Sequence, residues 1–359
     1  MRCLILLVCL TLTTFTTAVG ETGLVNPQVL ETIVFGSCAR EDRDQPIWKS
    51  IVAEDPDLFL FLGDNVYVDI PTPPASAGDI AAAYRKLAAK PGYQKLKGAC
   101  PILATWDDHD YGLNDAGQEF RLKRAAQQQL LTFFEEPAKS PRWRRDGVYG
   151  AWRFGPAGRR VQVILLDTRY FRDEIVSDHS WRPGERIGPY RPPAGKPGGT
   201  ILGEQQWAWL GEQLQQPADV RLIGSSIQVV SGEHGWECWA HFPGEQRRLV
   251  RMIQSTKANG VLFLSGDRHL IELSKFEQPI APYPLWDFTS SGFNWGHADD
   301  PVEPNRYRVG PVKRMPNYGV IKIDWQSKKI TLVGRDGEGQ SLFEQPLELS
   351  TLVVPQAGH

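Results

Sequence analysis

Six short apolar runs in this 359-residue chain end on residues that carry chemistry. Ile33-Val34-Phe35 stops at Gly36-Ser37-Cys38, and Leu58 to Leu62 stops at Gly63-Asp64. Pro101 to Thr105 runs into Trp106-Asp107-Asp108-His109-Asp110. Val161 to Leu166 ends at Asp167, Arg221 to Ile223 at Gly224-Ser225-Ser226, and Val261 to Leu264 at Ser265-Gly266-Asp267. Continuous apolar runs of this length, bounded by glycine and polar residues, are the pattern of strands buried on both faces. Helical spacing lies between them: Pro46 to Glu54, Gln118 to Glu136, Glu204 to Gln215 and Glu245 to Ala258. Strand and helix alternate, so the fold class is α/β. Gly155-Pro156-Ala157-Gly158 joins Tyr149–Phe154 to Val161–Leu166 as a hairpin, and Val320–Asp324 with Ile330–Val333 forms a late antiparallel pair. The sheets are therefore expected to be mixed.

No composition break divides residues 21–359, which read as one domain with long Pro/Gly-rich surface loops at Ile70–Gly78 and Trp181–Thr200. Such loops often wall active sites. Residues 1–20 read differently. Arg2 precedes the apolar stretch Cys3 to Leu10, and Ala18-Val19-Gly20 supplies a small-x-small cleavage site, the layout of a Sec signal peptide. The apolar stretch is too short for a comfortable membrane span. Cys9 opens a lipoprotein alternative, disfavoured by its early place in the apolar region, and there is no twin-Arg pair. The mature protein is expected in the periplasm or outside the cell, with no transmembrane segment. It keeps Cys38, Cys100 and Cys238, an odd number, with a Cys100–Cys238 bridge left open. The net charge of −2 argues against a broad basic surface for nucleic acid.

Ligands in open α/β folds bind beyond the carboxyl ends of the strands. A lone aspartate there is often a helix cap. Several carboxylates, a thiol and a histidine at one edge repel one another and become tolerable around a cation. The pattern predicts a metal site with more than one ion. Asp267 and His269 share a face of extended chain, and Asp64 and Tyr67 sit three apart across a turn. A thiolate with a tyrosinate favours a Lewis-acidic transition ion such as Fe³⁺ or Zn²⁺, and the remaining carboxylates favour a harder ion beside it. Packing alone would equally explain Cys38 and Tyr67 taken singly.

Five motifs then carry a resemblance: Phe35-Gly-Ser-Cys38, Leu62-Gly-Asp-Asn-Val-Tyr67, Trp106-Asp-Asp-His-Asp110, Leu166-Asp-Thr-Arg169 and Ser265-Gly-Asp-Arg-His269. In this order they resemble the PhoD-type alkaline phosphatases of the metallophosphoesterase superfamily. The resemblance implies a sandwich of two mixed β-sheets flanked by helices. It implies Asp64 as bridging ligand, Tyr67 as a tyrosinate ligand in place of the more usual acid, Cys38 as thiolate ligand, and Asp267 with His269 as the last metal-binding pair. Asp108 aligns with the usual asparagine ligand and His109 with the histidine acid, with Asp107 as the alternative ligand. Family cofactors are Fe³⁺ with Ca²⁺. Many relatives carry an N-terminal β-sandwich and twin-Arg export. This chain is expected to have neither, which leaves Zn²⁺ or Mn²⁺ as substitutes.

The implied activity is phosphoric ester hydrolysis, on monoesters or diesters, by in-line attack of a metal-activated hydroxide. The expected substrate is a small phosphate ester or a phospholipid-like molecule. Arg124, Arg169 and Arg268 are candidate phosphate contacts, with a structural pairing of Arg169 to Asp167 as the alternative. His234, Asn294 and Trp295 are candidate pocket-lining residues. The competing functions are a metal-dependent phosphate-binding protein without catalysis, and an unrelated exported binding domain whose acids are caps.

Overall fold

The computed structural model describes residues 25–182, 187–191, 198–296 and 302–355, so the expected signal peptide and part of the Trp181–Thr200 loop lie outside the described residues. In chain order the elements are β1 (Thr32–Gly36), α1 (Trp48–Ala53), β2 (Leu58–Leu62), α2 (Ala77–Ala88), α3 (Pro91–Ala99), β3 (Ile102–Thr105), α4 (Asp108–Tyr111) and α5 (Lys123–Phe133). Then come β4 (Gly150–Phe154), β5 (Val161–Leu165), α6 (Gly203–Leu214), β6 (Val220–Gly224), α7 (Pro243–Ser255), β7 (Val261–Ser265), β8 (Ile271–Phe276) and β9 (Leu285–Ser290). The chain closes with β10 (Arg308–Lys313), β11 (Asn317–Asp324), β12 (Lys329–Asp336) and β13 (Ser341–Glu348).

The strands form two mixed sheets, ordered β13-β12-β11-β1-β2-β3 and β10-β8-β9-β7-β6-β5-β4. In the first, β1, β2 and β3 are parallel; in the second, β5, β6, β7 and β9 are parallel. Alternation along β2 explains its unbroken apolar run. Leu58, Leu60 and Leu62 enter the core shared with Leu165, Ile223 and Phe288 of the second sheet. Phe59 and Phe61 enter a separate core with Trp48 of α1, Leu87 of α2 and Leu96 of α3. All five residues of β2 are buried. Each such side chain contributes about 1.5–3 kcal/mol of transfer free energy. Phe35 meets Phe288 edge to face across the sheets at 4.9 Å. The shared core also takes in Trp207 and Leu210 of α6 and Leu249 and Ile253 of α7.

The hairpin β4–β5 and the antiparallel pair β11–β12 form as expected. The expected 118–136 helix is confined to α5, and α2 and α3 add two helices that the apolar spacing had not singled out. Cys100 and Cys238 are buried free thiols, so the bridge left open by the sequence is not made. Among the described residues no helix is long and apolar enough to cross a membrane.

Candidate metal centre

The loops after β1, β2, β3 and β7 bring the strand-end residues together. Cys38 Sγ lies 3.1 Å from Asp64 Oδ2, and the Tyr67 hydroxyl lies 3.2 Å from the same oxygen. That hydroxyl is also 3.3 Å from His269 Nε2. On its other oxygen, Asp64 accepts the His109 amide at 3.2 Å. Among the described residues, donor atoms within 4.8 Å of one another define four groups that could hold a cation: Cys38, Asp64 and His269; Asp64, Asp108 and His109; Asp107, Asp108 and Asp267; and Asp108, Asp115 and Glu237. Asp64 belongs to the first two groups and Asp108 to the last three.

Backbone geometry aims these side chains. Cys38, Asp64, Asp267 and His269 have φ of 61°, 51°, 68° and 51°. Left-handed backbone at non-glycine residues costs about 1–3 kcal/mol each and persists where surrounding contacts over-determine it. Those contacts are present. Ala39 N donates to the Asp64 carbonyl at 2.9 Å, and His269 N to Ser291 Oγ at 2.9 Å. Asp110, which closes the Trp106-Asp-Asp-His-Asp110 motif and had no role assigned from the sequence, is the hub of the Gly63-Asp64-Asn65 turn: one of its oxygens accepts from Asp64 N at 3.1 Å and from Asp107 N at 2.7 Å. Gly63 has φ of 103°, and a Cβ there would stand 2.5 Å from Asp107 Cβ, so only glycine lets the two loops approach.

Electrostatics oppose ionisation of the bare cluster. Burial, reinforced by Asp64, pushes the Cys38 thiol well above its ordinary value, and burial followed by Asp64 and Cys38 does the same to Tyr67. Burial also raises Asp64, with His109 opposing and Asp108 and Asp107 adding to the rise. Asp267 is raised by burial against the pull of Arg268. A cation reverses this balance, because it supplies the charge that lets a thiolate, a phenolate and carboxylates be buried together. Asp107 Oδ2 is buried with no hydrogen-bond partner among the described residues. A mixed sulfur, phenol, imidazole and carboxylate donor set fits a transition ion beside a harder one.

His109 stands over the cluster. Its Nδ1 lies 2.7 Å from Asp69 Oδ1 and its ring stacks on Tyr67 at 4.2 Å. Burial alone would lower its pKa, but Asp108, Asp64 and Asp69 override this and raise it to about 11.

The arginines divide. Arg169 is fully buried and donates through Nε to Asp107 Oδ1 at 2.6 Å. Its Nη2 pairs with Asp107 and, at 2.5 Å, with Glu237, which also pairs with Arg172 at 2.8 Å. Its salt bridge is therefore with Asp107 and Glu237, not with Asp167. Asp167 is a structural hub instead, accepting from Trp106 Nε1 and Val148 N, each at 2.8 Å. Arg124 is not drawn into the cluster. Its guanidinium donates to Gln127 Oε1 and to the Arg145 and Trp143 carbonyls, which ties α5 to the following loop. Arg268 flanks Asp267, pairs with Glu303 and lies over the Trp236 ring at 5.1 Å. His234 is buried, its Nδ1 accepting from Trp236 N at 3.1 Å. Asn294 is occupied with loop backbone, and Trp295 stacks on Tyr67 and His269. Asp115 and Glu237 had no signal in the sequence. Asp115 N donates to Asp108 Oδ2 at 2.8 Å, a contact made only by the turn after α4.

No curated protein sequence matches the chain. Among solved structures, one described as PhoD superposes with a TM-score of 0.72 at 18% identity, covering 94% of this chain and 73% of its own. GAP50, described as the anchor in the inner membrane complex of Plasmodium, superposes with a TM-score of 0.55 at 12% identity, covering 92% of this chain and 90% of its own. At these identities both show likeness of fold alone. The PhoD-like phosphatase profile matches residues 33–300, which hold all five motifs and every residue of the cluster, and the chain belongs to that family.

Proposed function

We propose that this PhoD-like phosphatase is an exported, metal-dependent phosphoric ester hydrolase acting on monoesters, diesters or both. The observation that carries the reading is the shared carboxylate: Asp64 belongs both to the group with Cys38 and His269 and to the group with Asp108 and His109. Cys38, Asp64, Tyr67 and His269 would hold a transition ion, with Fe³⁺ favoured by the thiolate and phenolate and Zn²⁺ or Mn²⁺ as substitutes. Asp64, Asp108 and Asp267, with Asp107 beside them, would hold the harder ion, Ca²⁺. When bound, such ions neutralise phosphate charge and make water nucleophilic near neutral pH.

The protein's own groups do the rest. Asp69 holds His109 through Nδ1, leaving a proton at Nε2 for the leaving-group oxygen. Arg169 neutralises Asp107 and Glu237 from within, a positioning role rather than a phosphate contact. Arg268, at the Asp267 edge, is the better placed guanidinium for a phosphate oxygen. The substrate is expected to be a small phosphate ester or a phospholipid-like molecule.

The test uses protein exported by its own leader. Hydrolysis of an aryl phosphate monoester and of the matching diester, lost on chelation and restored by iron with calcium, supports the reading. A broad visible absorption band abolished by Tyr67→Phe assigns the iron to the phenolate. Stoichiometric zinc or manganese without that band keeps the hydrolase and removes the iron. Bound metal with no hydrolysis of either ester favours the phosphate-binding alternative.

A further inference from the structure

The loops after β1 and β9 are sewn together by one side chain. Asn294 Oδ1 accepts from the Arg40 amide at 2.9 Å, and its Nδ2 donates to the Arg40 carbonyl at 2.8 Å and the Asp44 carbonyl at 3.1 Å. This seam sets the Trp295 indole beside the cluster. The indole lies nearly parallel to the Tyr67 ring, 6.0 Å away at 10°, and 5.2 Å from the His269 ring at 29°. Two guanidiniums rest on it, Arg43 at 4.3 Å and Arg40 at 4.8 Å.

The two arginines are not equivalent. Arg40 is 7% exposed and bound twice by Asp42, at 2.9 and 2.5 Å, so its charge is neutralised within the loop. Arg43 is exposed, and among the described residues its guanidinium forms no ion pair. The other nearby acids are turned to other work. Glu41 accepts the Tyr67 amide, and Asp44 lines a neighbouring cavity with Phe293 and Met315. An arginine swinging in solvent would say little. This one is seated on a ring that itself stacks on two residues of the metal cluster, so its charge is held one indole away from the reacting centre. Cation–π seating of this kind is attractive and biases where the guanidinium dwells.

The geometry points to a subsite for a second anionic group, a carboxylate or a phosphate, carried by the leaving group of the ester. Arg43 is its specificity-determining residue, and Trp295 positions it. The inference rests on the phosphoester reading of the cluster and adds the substrate's distal charge to it. Arginine suits either anion, because its fork donates two parallel hydrogen bonds.

Binding of non-hydrolysable ligands tests the subsite without turnover. Calorimetry on the metal-loaded protein at low salt compares phenylphosphonate, 4-carboxyphenylphosphonate and 1,4-phenylenediphosphonate. The wild type is expected to bind at least one of the two charged derivatives about tenfold more tightly than the parent, and which one distinguishes a carboxylate from a phosphate. Arg43→Gln and Trp295→Leu should each bring that ratio close to one, and Arg43→Lys should retain part of it. A wild-type ratio near one, or a ratio unmoved by Arg43→Gln, overturns the inference. If the charged phosphonates bind preferentially but the matching phosphate esters are not hydrolysed, the subsite stands and the hydrolase reading fails. If no phosphonate binds, both fail together.

Discussion

Cys38 Sγ lies 3.1 Å from Asp64 Oδ2, and neither residue is more than 1% exposed. A thiol and a carboxyl are thus packed together out of water: burial and then the Asp64 charge raise Cys38, and burial raises Asp64 against the pull of His109, with Asp108 and Asp107 adding to the rise. Cys38→Ser keeps the shape and removes the soft donor. The variant is expected to fold and to lose affinity for the transition ion by roughly tenfold or more, while the ion held by carboxylates stays bound. Elemental analysis after gel filtration reads this directly. Unchanged stoichiometry of both metals would remove Cys38 from the ligand set.

A buried ion network reaches the cluster from behind. Arg169 joins Asp107 to Glu237, and Arg172 meets Glu237 from the other side. Arg169→Met leaves two buried carboxylates without their shared cation. The expected cost is about 3–5 kcal/mol of unfolding free energy, read by urea denaturation. A phosphate contact would behave otherwise: KM would rise with stability untouched. That second outcome would return Arg169 to the substrate site.

His109 and Asp69 make a separable prediction. Asp69 accepts from His109 Nδ1 at 2.7 Å and fixes which nitrogen faces the cluster. Asp69→Asn is expected to slow esters with poor alkyl leaving groups by about 100-fold or more. Nitrophenyl esters, whose leaving oxygen needs little protonation, should slow much less. Equal loss on both substrates would mean that the pair serves folding or metal binding and not proton delivery.

How far the sequence reached follows from where each residue sits. Cys38, Asp64, Tyr67, Asp108, His109, Asp267 and His269 all follow parallel strands directly, so reading strand ends was enough to place them at one edge. Arg124 failed that rule. It lies on α5, away from any strand end, and its guanidinium is bound by loop carbonyls. Asp115 meets Asp108 through the turn after α4, and Glu237 meets it only through the packing of a loop distant in sequence, which no local pattern encodes. Asp167 met the rule and still proved structural: its Oδ1 accepts from Trp106 Nε1 and the Arg169 and Tyr170 amides and its Oδ2 from the Val148 amide, so it knits the loops together and joins none of the cation-holding groups among the described residues. Helix α2 was not singled out: Ile80, Ala83, Tyr84 and Leu87 are its buried face, but it starts inside the Ile70–Gly78 stretch, whose Pro/Gly-rich composition reads as loop.

His234 gives a pH prediction outside the candidate metal cluster. It is fully buried behind Arg268, with Glu303, Arg314 and His241 as its charged or titratable neighbours. Burial, then the Arg268 cation, pushes its pKa down to about 3, against 6.5 for an unburied histidine. Below pH 6.5 the unfolded chain takes up a proton that the folded protein refuses. Stability from this residue is therefore present above about pH 6.5 and is lost as pH falls toward 3, with a slope of up to about 1.4 kcal/mol per pH unit. His234→Asn keeps an acceptor for the Trp236 amide and cannot titrate. Urea midpoints of wild type and variant between pH 7 and 4 should converge or cross as the wild type loses this contribution. Parallel curves across that range would mean that His234 is protonated in the folded state, paired with Glu303 despite its burial.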